Sequence, residues 1–141
     1  MPDTATTAPI PVTPNLEGQE NLEPLASRYV DVESLPWTPT DTEGIDMKVL
    51  MRDAANGRWT ALIRWQPGAS LPLHEHTDIE QSYILEGSLC DHEGEATAGQ
   101  FVWRPAGSRH RAHAPNGAVL LAVFLAPNKF LEGDRAEGQG D

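Results

Sequence analysis

Alternation of apolar residues in the middle of this chain constrains its fold more than any other feature. Residues 47–52 and 59–65 both place apolar side chains at every second position, and Asn56-Gly57 lies between the two stretches. Side chains two residues apart share one face of a β-strand, so the pattern predicts two strands joined by a hairpin turn. Shorter apolar runs follow, separated by glycine and proline roughly every eight to twelve residues, at 82–85, 101–103 and 119–125. This spacing predicts an all-β sandwich or barrel.

Length and charge narrow the class of protein. The 141 residues are enough for one domain, and the net charge of −11 disfavours nucleic acid as a partner because phosphates would be repelled. No apolar run approaches the roughly 20 residues that a bilayer span needs, and the N-terminus lacks the features of a secretory signal. The single cysteine, Cys90, cannot form an internal disulfide. We therefore expect a cytoplasmic protein that binds neither nucleic acid nor membrane.

The acidity is concentrated at the two ends of the chain. Residues 1–27 carry four acidic side chains, no basic one and five of the 12 prolines, while residues 132–141 carry four acidic side chains and one arginine. Such segments bury little apolar surface, so they predict a disordered or loosely ordered arm and a disordered acidic tail. A single domain is expected at 28–131, and the charge of the ends says little about a substrate.

Four of the five histidines lie in two short segments, and the first segment holds two of them. His74 and His76 are two residues apart and share one face of a strand, and Glu80 follows at an even spacing. In the second segment His110 opens a strand directly after the turn Pro105-Ala-Gly107. Imidazoles and a carboxylate inside an apolar barrel are costly unless a ligand satisfies them, and a divalent transition metal does so. Glu80 is either a fourth ligand or a base beside a three-histidine site.

The spacing of these residues resembles the two motifs of the cupin superfamily. Gly68, His74, His76, Glu80 and Gly87 match the first motif, G(X)5HXH(X)3–4E(X)6G, at every position. The second motif, G(X)5PXG(X)2H(X)3N, is matched from Gly99 to His110, and its final asparagine is replaced by Ala114. That asparagine is not a metal ligand in the family.

The resemblance implies a double-stranded β-helix (a cupin, or RmlC-like, jelly-roll barrel) with one divalent metal per chain. Carried over onto matching positions, His74, His76, Glu80 and His110 would be both the metal ligands and the catalytic residues. The resemblance also implies a homodimer formed by edge strands. Within the superfamily the chain is most similar to acetylacetone-cleaving and dihydroxyacetophenone dioxygenases and to the zinc cupin domain of ChrR-type anti-sigma factors.

The remaining candidate residues are expected to lie outside the site. His113 is an odd number of residues from His110, and His92 lies in a charged turn, so both are predicted at the surface. Arg64 and Arg104 are also predicted at the surface, with the alternative that one of them faces inward and orients an anionic substrate. Most of the tryptophans are predicted in the core, at positions 59, 65 and 103, with the alternative that one of them faces the open end of the barrel and lines a substrate pocket.

A metal held by three imidazoles and at most one carboxylate keeps open coordination positions, and the enolate of a 1,3-dicarbonyl can bind there through both of its oxygens. The leading hypothesis is a mononuclear non-heme Fe(II) dioxygenase that uses dioxygen to cleave a C–C bond in a small dicarbonyl or hydroxyaryl ketone. One alternative is a Zn(II)-binding regulatory cupin similar to the anti-sigma domain, although residues 1–45 contain no Cys or His for a zinc-finger segment. The other is a non-redox isomerase or small-molecule-binding cupin.

Overall fold

A computed structural model describes residues 10–133 of the chain, and these residues form ten β-strands. Among them there is no α-helix, only 3-10 turns at Gln19–Asn21 and Val32–Ser34. The strands are β1 (Thr38–Pro39), β2 (Ile45–Asp53), β3 (Arg58–Trp65), β4 (Ala69–His76), β5 (Glu80–Cys90), β6 (Glu95–Thr97), β7 (Phe101–Arg104), β8 (Arg109–Ala114), β9 (Ala118–Phe124) and β10 (Asn128–Phe130). The prediction of an all-β chain is confirmed.

One curled antiparallel sheet contains all the strands. Its order is β1-β2-β3-β9-β5-β8-β4-β10, and β6 and β7 also pair with β5. The long strand β5 belongs to both halves, because its first part pairs with β9 and β7 and its end with β6 and β8. The sheet therefore folds over at β5 into two facing halves, which is the double-stranded β-helix that the resemblance implied.

The core lies between the two halves, and the alternation decides which side chains reach it. On β3, Ala61 and Ile63 are buried, and their register partners Ala122 and Leu120 on β9 are buried as well. Directly opposed residues of antiparallel strands share a face, so one buried row fixes the other. Each large apolar side chain in such a row contributes about 1.5–3 kcal/mol relative to an exposed position.

The prediction that Trp103 lies in the core is wrong. Trp65 is 5% exposed and Trp59 packs against the core, but Trp103 is 56% exposed. On β7 the alternate residues Val102 and Arg104 pair with inward-facing residues of β5. Trp103 therefore lies on the outer face of the sheet.

Gly87 allows β5 to pass against the turn between β8 and β9. Its φ is 72°, and a Cβ at this position would lie 2.0 Å from the carbonyl oxygen of Gly117. No side chain fits at that distance, and a positive φ is itself unfavourable for an L-residue. The glycine that closes the first cupin-like motif is thus required by the bend that creates the two halves.

Replacing Gly87 with alanine should destabilise the protein by about 4 kcal/mol or more, because backbone strain and a backbone clash occur together. Gly99→Ala should cost only about 1–2 kcal/mol, since its φ is 89° but nothing lies within 4 Å of the added carbon. Gly94→Ala has neither problem and should stay within about 0.5 kcal/mol of the parent. Urea unfolding of the three variants measures the series, and equal losses at Gly87 and Gly99 would contradict the clash.

The segment before β1 is attached to the barrel. Val12 forms a two-hydrogen-bond bridge with Arg52 (2.9 and 2.7 Å), and the Thr13 hydroxyl donates to the carbonyl oxygen of Leu50. Residues 1–9 and 134–141 lie outside the described residues. The boundaries of the predicted arm (1–27), domain (28–131) and tail (132–141) stay predictions.

No helix within residues 10–133 is long and apolar enough to cross a membrane. The cytoplasmic location and the homodimer stay predictions.

Candidate metal centre

Three histidine side chains converge inside the barrel. His74 and His76 lie at the end of β4, and His110 is the register partner of His74 on β8. Their candidate ligand nitrogens all lie within 4.8 Å of one another, and the ring centroids are 4.6–5.0 Å apart. The three residues are 1%, 1% and 4% exposed. The predicted convergence of these three imidazoles is confirmed.

The turn before β8 ties the two histidine segments together. The Gly107 N–H donates to the carbonyl oxygen of His76 (2.7 Å), and the His76 N–H donates to that of Ser108 (2.9 Å). The Pro105-Ala-Gly107 turn is thereby fixed against the end of β4. This explains why the turn motif stands three residues before His110: it sets where β8 begins relative to the first histidine pair.

Hydrogen bonds at Nδ1 determine which nitrogen of His74 and His110 is free. His74 Nδ1 lies 2.8 Å from the carbonyl oxygen of Pro72, and His110 Nδ1 lies 2.7 Å from Asp91 Oδ2. A carbonyl and a carboxylate only accept, so each ring donates through Nδ1–H. Each Nε2 then carries the lone pair that a metal needs.

His76 reaches the same tautomer through a hydroxyl. Its Nδ1 lies 2.9 Å from Ser108 Oγ, and the Ser108 hydroxyl donates its hydrogen to the carbonyl oxygen of Pro105 at 2.7 Å. Because that hydrogen is already used, Ser108 Oγ accepts from His76 Nδ1–H. In all three histidines Nδ1 is therefore engaged outside the cluster, which leaves Nε2 as the nitrogen available to a metal.

Glu80 lies beside one of these nitrogens. Its Oε1 is 3.2 Å from His76 Nε2, which is buried and has no hydrogen-bond partner. Two acceptor atoms facing each other at this distance repel unless a cation or a proton lies between them. Among the described residues the group of mutually close ligand atoms contains only the three histidines, so Glu80 stays a predicted ligand.

Burial and nearby charges set the protonation of the cluster. Burial lowers the pKa of His74, and burial together with Arg104 lowers the pKa of His110 to about 4. Burial alone would raise the pKa of Glu80, but His76 and Arg104 outweigh it, so the net shift is downward. At neutral pH the site therefore offers neutral imidazole rings at 74 and 110 together with an ionised carboxylate, which is the protonation state that metal binding requires.

Asp91 and Arg104 also belong to the site, and the sequence analysis missed their roles. The Arg104 guanidinium donates to Asp91 Oδ2 at 2.7 Å, and both side chains are at most 10% exposed. The prediction of a surface Arg104 is wrong, because Arg104 pairs with Glu80 across β7 and β5 and so faces inward. No local pattern in the sequence marked Asp91, because it lies in the charged turn after β5 and only the pairing of Cys90 with His113 brings this turn next to β8.

The other candidates lie away from the cluster, as predicted. His113 and His92 are exposed. Arg64 is on the outer face of β3, where it pairs with Asp46 at 3.1 Å and lies over the ring of Trp37.

A cavity of about 580 Å³ opens between the two halves of the sheet. Its lining includes apolar side chains as well as charged and polar ones, and within it the rings of Trp59 and Phe124 stack with centroids 4.0 Å apart. Phe130 lines the cavity and lies 5.5 Å from the His74 ring between centroids, so it borders the histidine cluster as well. The wall includes Ile45, Met47, Ile63, Trp65 and Leu71.

Three imidazoles with free Nε2 atoms form a donor set that fits a divalent transition metal, with or without the adjacent carboxylate. The orphaned nitrogen of His76, facing an ionised oxygen, supports that fit independently of the spacing. This is a three-histidine metal site, and its ligand types suit several metals.

Solved structures with the same fold include enzymes and a regulator. A candidate acetylacetone dioxygenase from Methylibium petroleiphilum PM1 matches with a TM-score of 0.72 at 25% identity, covering 78% of this chain and 84% of that one. An acetylacetone dioxygenase from Acinetobacter johnsonii matches at 0.70 and 21% identity, covering 77% and 80%. The Rhodobacter sphaeroides complex of SigE with the anti-sigma protein ChrR matches at 0.57 and 21% identity, covering 66% and 51%.

No curated protein matches this sequence. The family model of the ChrR cupin-like domain matches residues 25–129, which is well over half of the chain and includes both histidine segments. The curled sheet and the three-histidine centre agree with that match, and the chain belongs to the ChrR cupin-like domain family.

Proposed function

We propose that this protein is a mononuclear non-heme Fe(II) dioxygenase that cleaves a C–C bond in a small dicarbonyl or hydroxyaryl ketone. The observation that carries the proposal is the set of three buried imidazoles with free Nε2 atoms beside a carboxylate. Three or four protein ligands leave one or more positions on a metal for a chelating substrate. His74, His76 and His110 would hold the metal, with Glu80 as the fourth ligand.

The charge of the site favours a substrate that binds as a monoanion. The carboxylate of Asp91 is balanced by Arg104, so the charges of that pair cancel, and Glu80 leaves one negative charge beside the histidines. A divalent cation would turn this into a single positive charge. A chelating enolate would neutralise it, whereas a dicarboxylate would leave an uncompensated buried anion.

The cavity beside the cluster favours a substrate with an apolar body. Its lining combines aliphatic and aromatic side chains with charged and polar ones, among them Asp41, Arg52 and Arg58, and the stacked rings of Trp59 and Phe124 offer an aromatic surface. A volume of about 580 Å³ lies within the range of small-molecule pockets. An alkyl or aryl ketone suits the aromatic part of this lining, where Phe130 borders the histidine cluster, because the hydroxyl groups of a sugar would lose their hydrogen bonds against these rings.

Bound iron would supply Lewis-acid activation of the chelated enolate and electron transfer to dioxygen. The chain's own contribution is to keep the imidazoles neutral and oriented, and to hold the apolar part of the substrate against Trp59 and Phe124. The same walls exclude water from the reacting groups. In dioxygenolytic cleavage both oxygen atoms enter the two products and the substrate supplies the electrons, so no external reductant is needed.

A zinc-binding regulatory domain is the second candidate. It is supported by the family model, which is that of the ChrR cupin-like domain, and by the likeness of the fold to ChrR in its complex with SigE. In that case the metal would be held without turnover. A non-redox isomerase or small-molecule-binding cupin would use the same centre without dioxygen.

Oxygen consumption separates these functions. Protein loaded with Fe(II) or, as a matched control, Zn(II) is mixed with acetylacetone or its aryl analogue 1-phenyl-1,3-butanedione in an oxygen-electrode cell. We expect oxygen uptake with Fe(II) only, and a higher kcat/KM for the aryl diketone. Acetophenone, which cannot form a chelating enolate, should give no uptake.

Tight zinc binding without uptake for any diketone would instead support the regulatory role. Conversion of a ligand without oxygen consumption would support the non-redox alternative. Either result would overturn the dioxygenase proposal.

A further inference from the structure

Asp91 uses both carboxylate oxygens in a way that a simple ion pair does not require. Oδ2 accepts from His110 Nδ1 and from Arg104 Nη1, each at 2.7 Å. Oδ1 accepts the backbone N–H groups of Glu93 and Gly94, at 2.8 and 3.1 Å. The Asp91 side chain is 4% exposed, so it is a buried carboxylate with four donors.

These contacts show that Asp91 is not itself a metal ligand, but one of them is a hydrogen bond to the predicted ligand His110. Among the described residues it is not part of the group of mutually close ligand atoms, and its oxygens are already engaged. His74 and His76 take their Nδ1 acceptors from nearby carbonyl and hydroxyl oxygens. Of the three rings, His110 is the one whose Nδ1 has a charged acceptor, and a hydrogen bond to a charged group is stronger than one between neutral groups.

We propose that Asp91 is the positioning residue of the metal centre. Its carboxylate holds the His110 ring with Nδ1–H outward and Nε2 toward His74 and His76. Arg104 fixes the carboxylate in place and balances its charge, and the backbone turn after β5 sets its orientation. The proposal rests on the metal site of the proposed function and not on its reaction.

An asparagine cannot take over this role, although it has the same shape. An amide has one oxygen, whereas the turn N–H groups need one acceptor atom and His110 and Arg104 need the other. Whichever way the amide is oriented, its NH2 group faces N–H donors that need an acceptor. If the amide nitrogen faces His110, the ring loses the contact that fixes its tautomer.

The test measures the affinity of purified protein for Co(II) and Zn(II) by competition with a chelator. Asp91→Asn should weaken binding by about 10–100-fold, the usual effect of losing a partner of a metal-binding histidine. Asp53→Asn is the matched control, because Asp53 is also buried and accepts from Arg58 and Asn56 but contacts none of the three histidines. Its affinity should stay within about twofold of the parent.

A second measurement reports the tautomer directly. Two-bond ¹H–¹⁵N NMR spectra of the metal-free protein should show His110 with a protonated Nδ1 in the parent and in Asp53→Asn, and a mixture of tautomers in Asp91→Asn. Unchanged metal affinity in Asp91→Asn, or an equal loss in both variants, would overturn the proposal. A protonated Nε2 on His110 in the parent protein would also overturn the proposal, and that measurement does not depend on whether any variant folds. The affinities for Co(II) and Zn(II) are measured without any redox reaction. A failure of oxygen uptake would therefore contradict the proposed dioxygenase function but not the role of Asp91.

Discussion

Metal retention should be lost when His76 or His110 is replaced by alanine. Parent protein loaded with Zn(II) and desalted should keep about one equivalent, and each variant close to none. Zinc sites with four protein ligands have apparent binding free energies of about 10–16 kcal/mol. An equal share for each ligand is therefore about 2.5–4 kcal/mol, or a loss of about 70- to 900-fold in affinity. Elemental analysis of the desalted proteins measures the retained metal.

His113→Ala is the control for this pair of variants. His113 lies three residues after His110 on the same strand, but its side chain is exposed on the outer face. It should retain metal like the parent protein. Equal loss of metal in all three variants would mean that the assignment of strand faces is wrong.

The histidine cluster could be predicted because the information is local. His74 and His76 share a face by the period of a strand, and the turn Pro105-Ala-Gly107 fixes the start of the next one. Only one long-range fact is then needed, that β4 pairs with β8. The cupin-like spacing implied that pairing, whereas alternation by itself predicts strands and not their order.

Arg104 and Trp103 could not be placed from the sequence. On a strand of four residues the alternation fits either face, and hydrophobicity favours putting a tryptophan inside and an arginine outside. The opposite holds because Asp91 offers the buried guanidinium an ionic partner, which removes most of the cost of burying it. That partner is 13 residues away along the chain, across the β5–β6 turn and β6, so no local pattern shows it.

The sequence left open whether Glu80 is a fourth metal ligand or a base beside a three-histidine site, and the contacts of Glu80 in the structure suggest how to distinguish the two. His76 Nδ1 donates to Ser108 Oγ, which leaves Nε2 as the nitrogen that faces Glu80. Glu80 Oε1 lies 3.2 Å from that nitrogen, and His76 and Arg104 hold the pKa of Glu80 below its usual value against the effect of burial, so the carboxylate is ionised. When the His76 ring is neutral, this contact brings two acceptors together and is unfavourable, and it becomes favourable when a cation binds both atoms. The pair of atoms therefore has opposite effects in the two states.

Glu80→Gln should consequently shift two measurements in opposite directions. The neutral amide gives up the charge that attracts the cation, so Zn(II) affinity should fall by about 100-fold, at the upper end of what ligand surroundings contribute. In the metal-free protein the amide N–H can donate to His76 Nε2, so the free energy of unfolding should rise by about 1 kcal/mol. Chelator competition and urea unfolding at pH 8, above the usual imidazole range, measure the two effects. Glu75→Gln is the matched control, because Glu75 pairs with Arg109 at 2.9 Å outside the cluster, and it should change neither value by much. Parent-like zinc affinity in Glu80→Gln would make Glu80 a base beside a three-histidine site, and a loss of metal-free stability would show that His76 and Glu80 already share a proton.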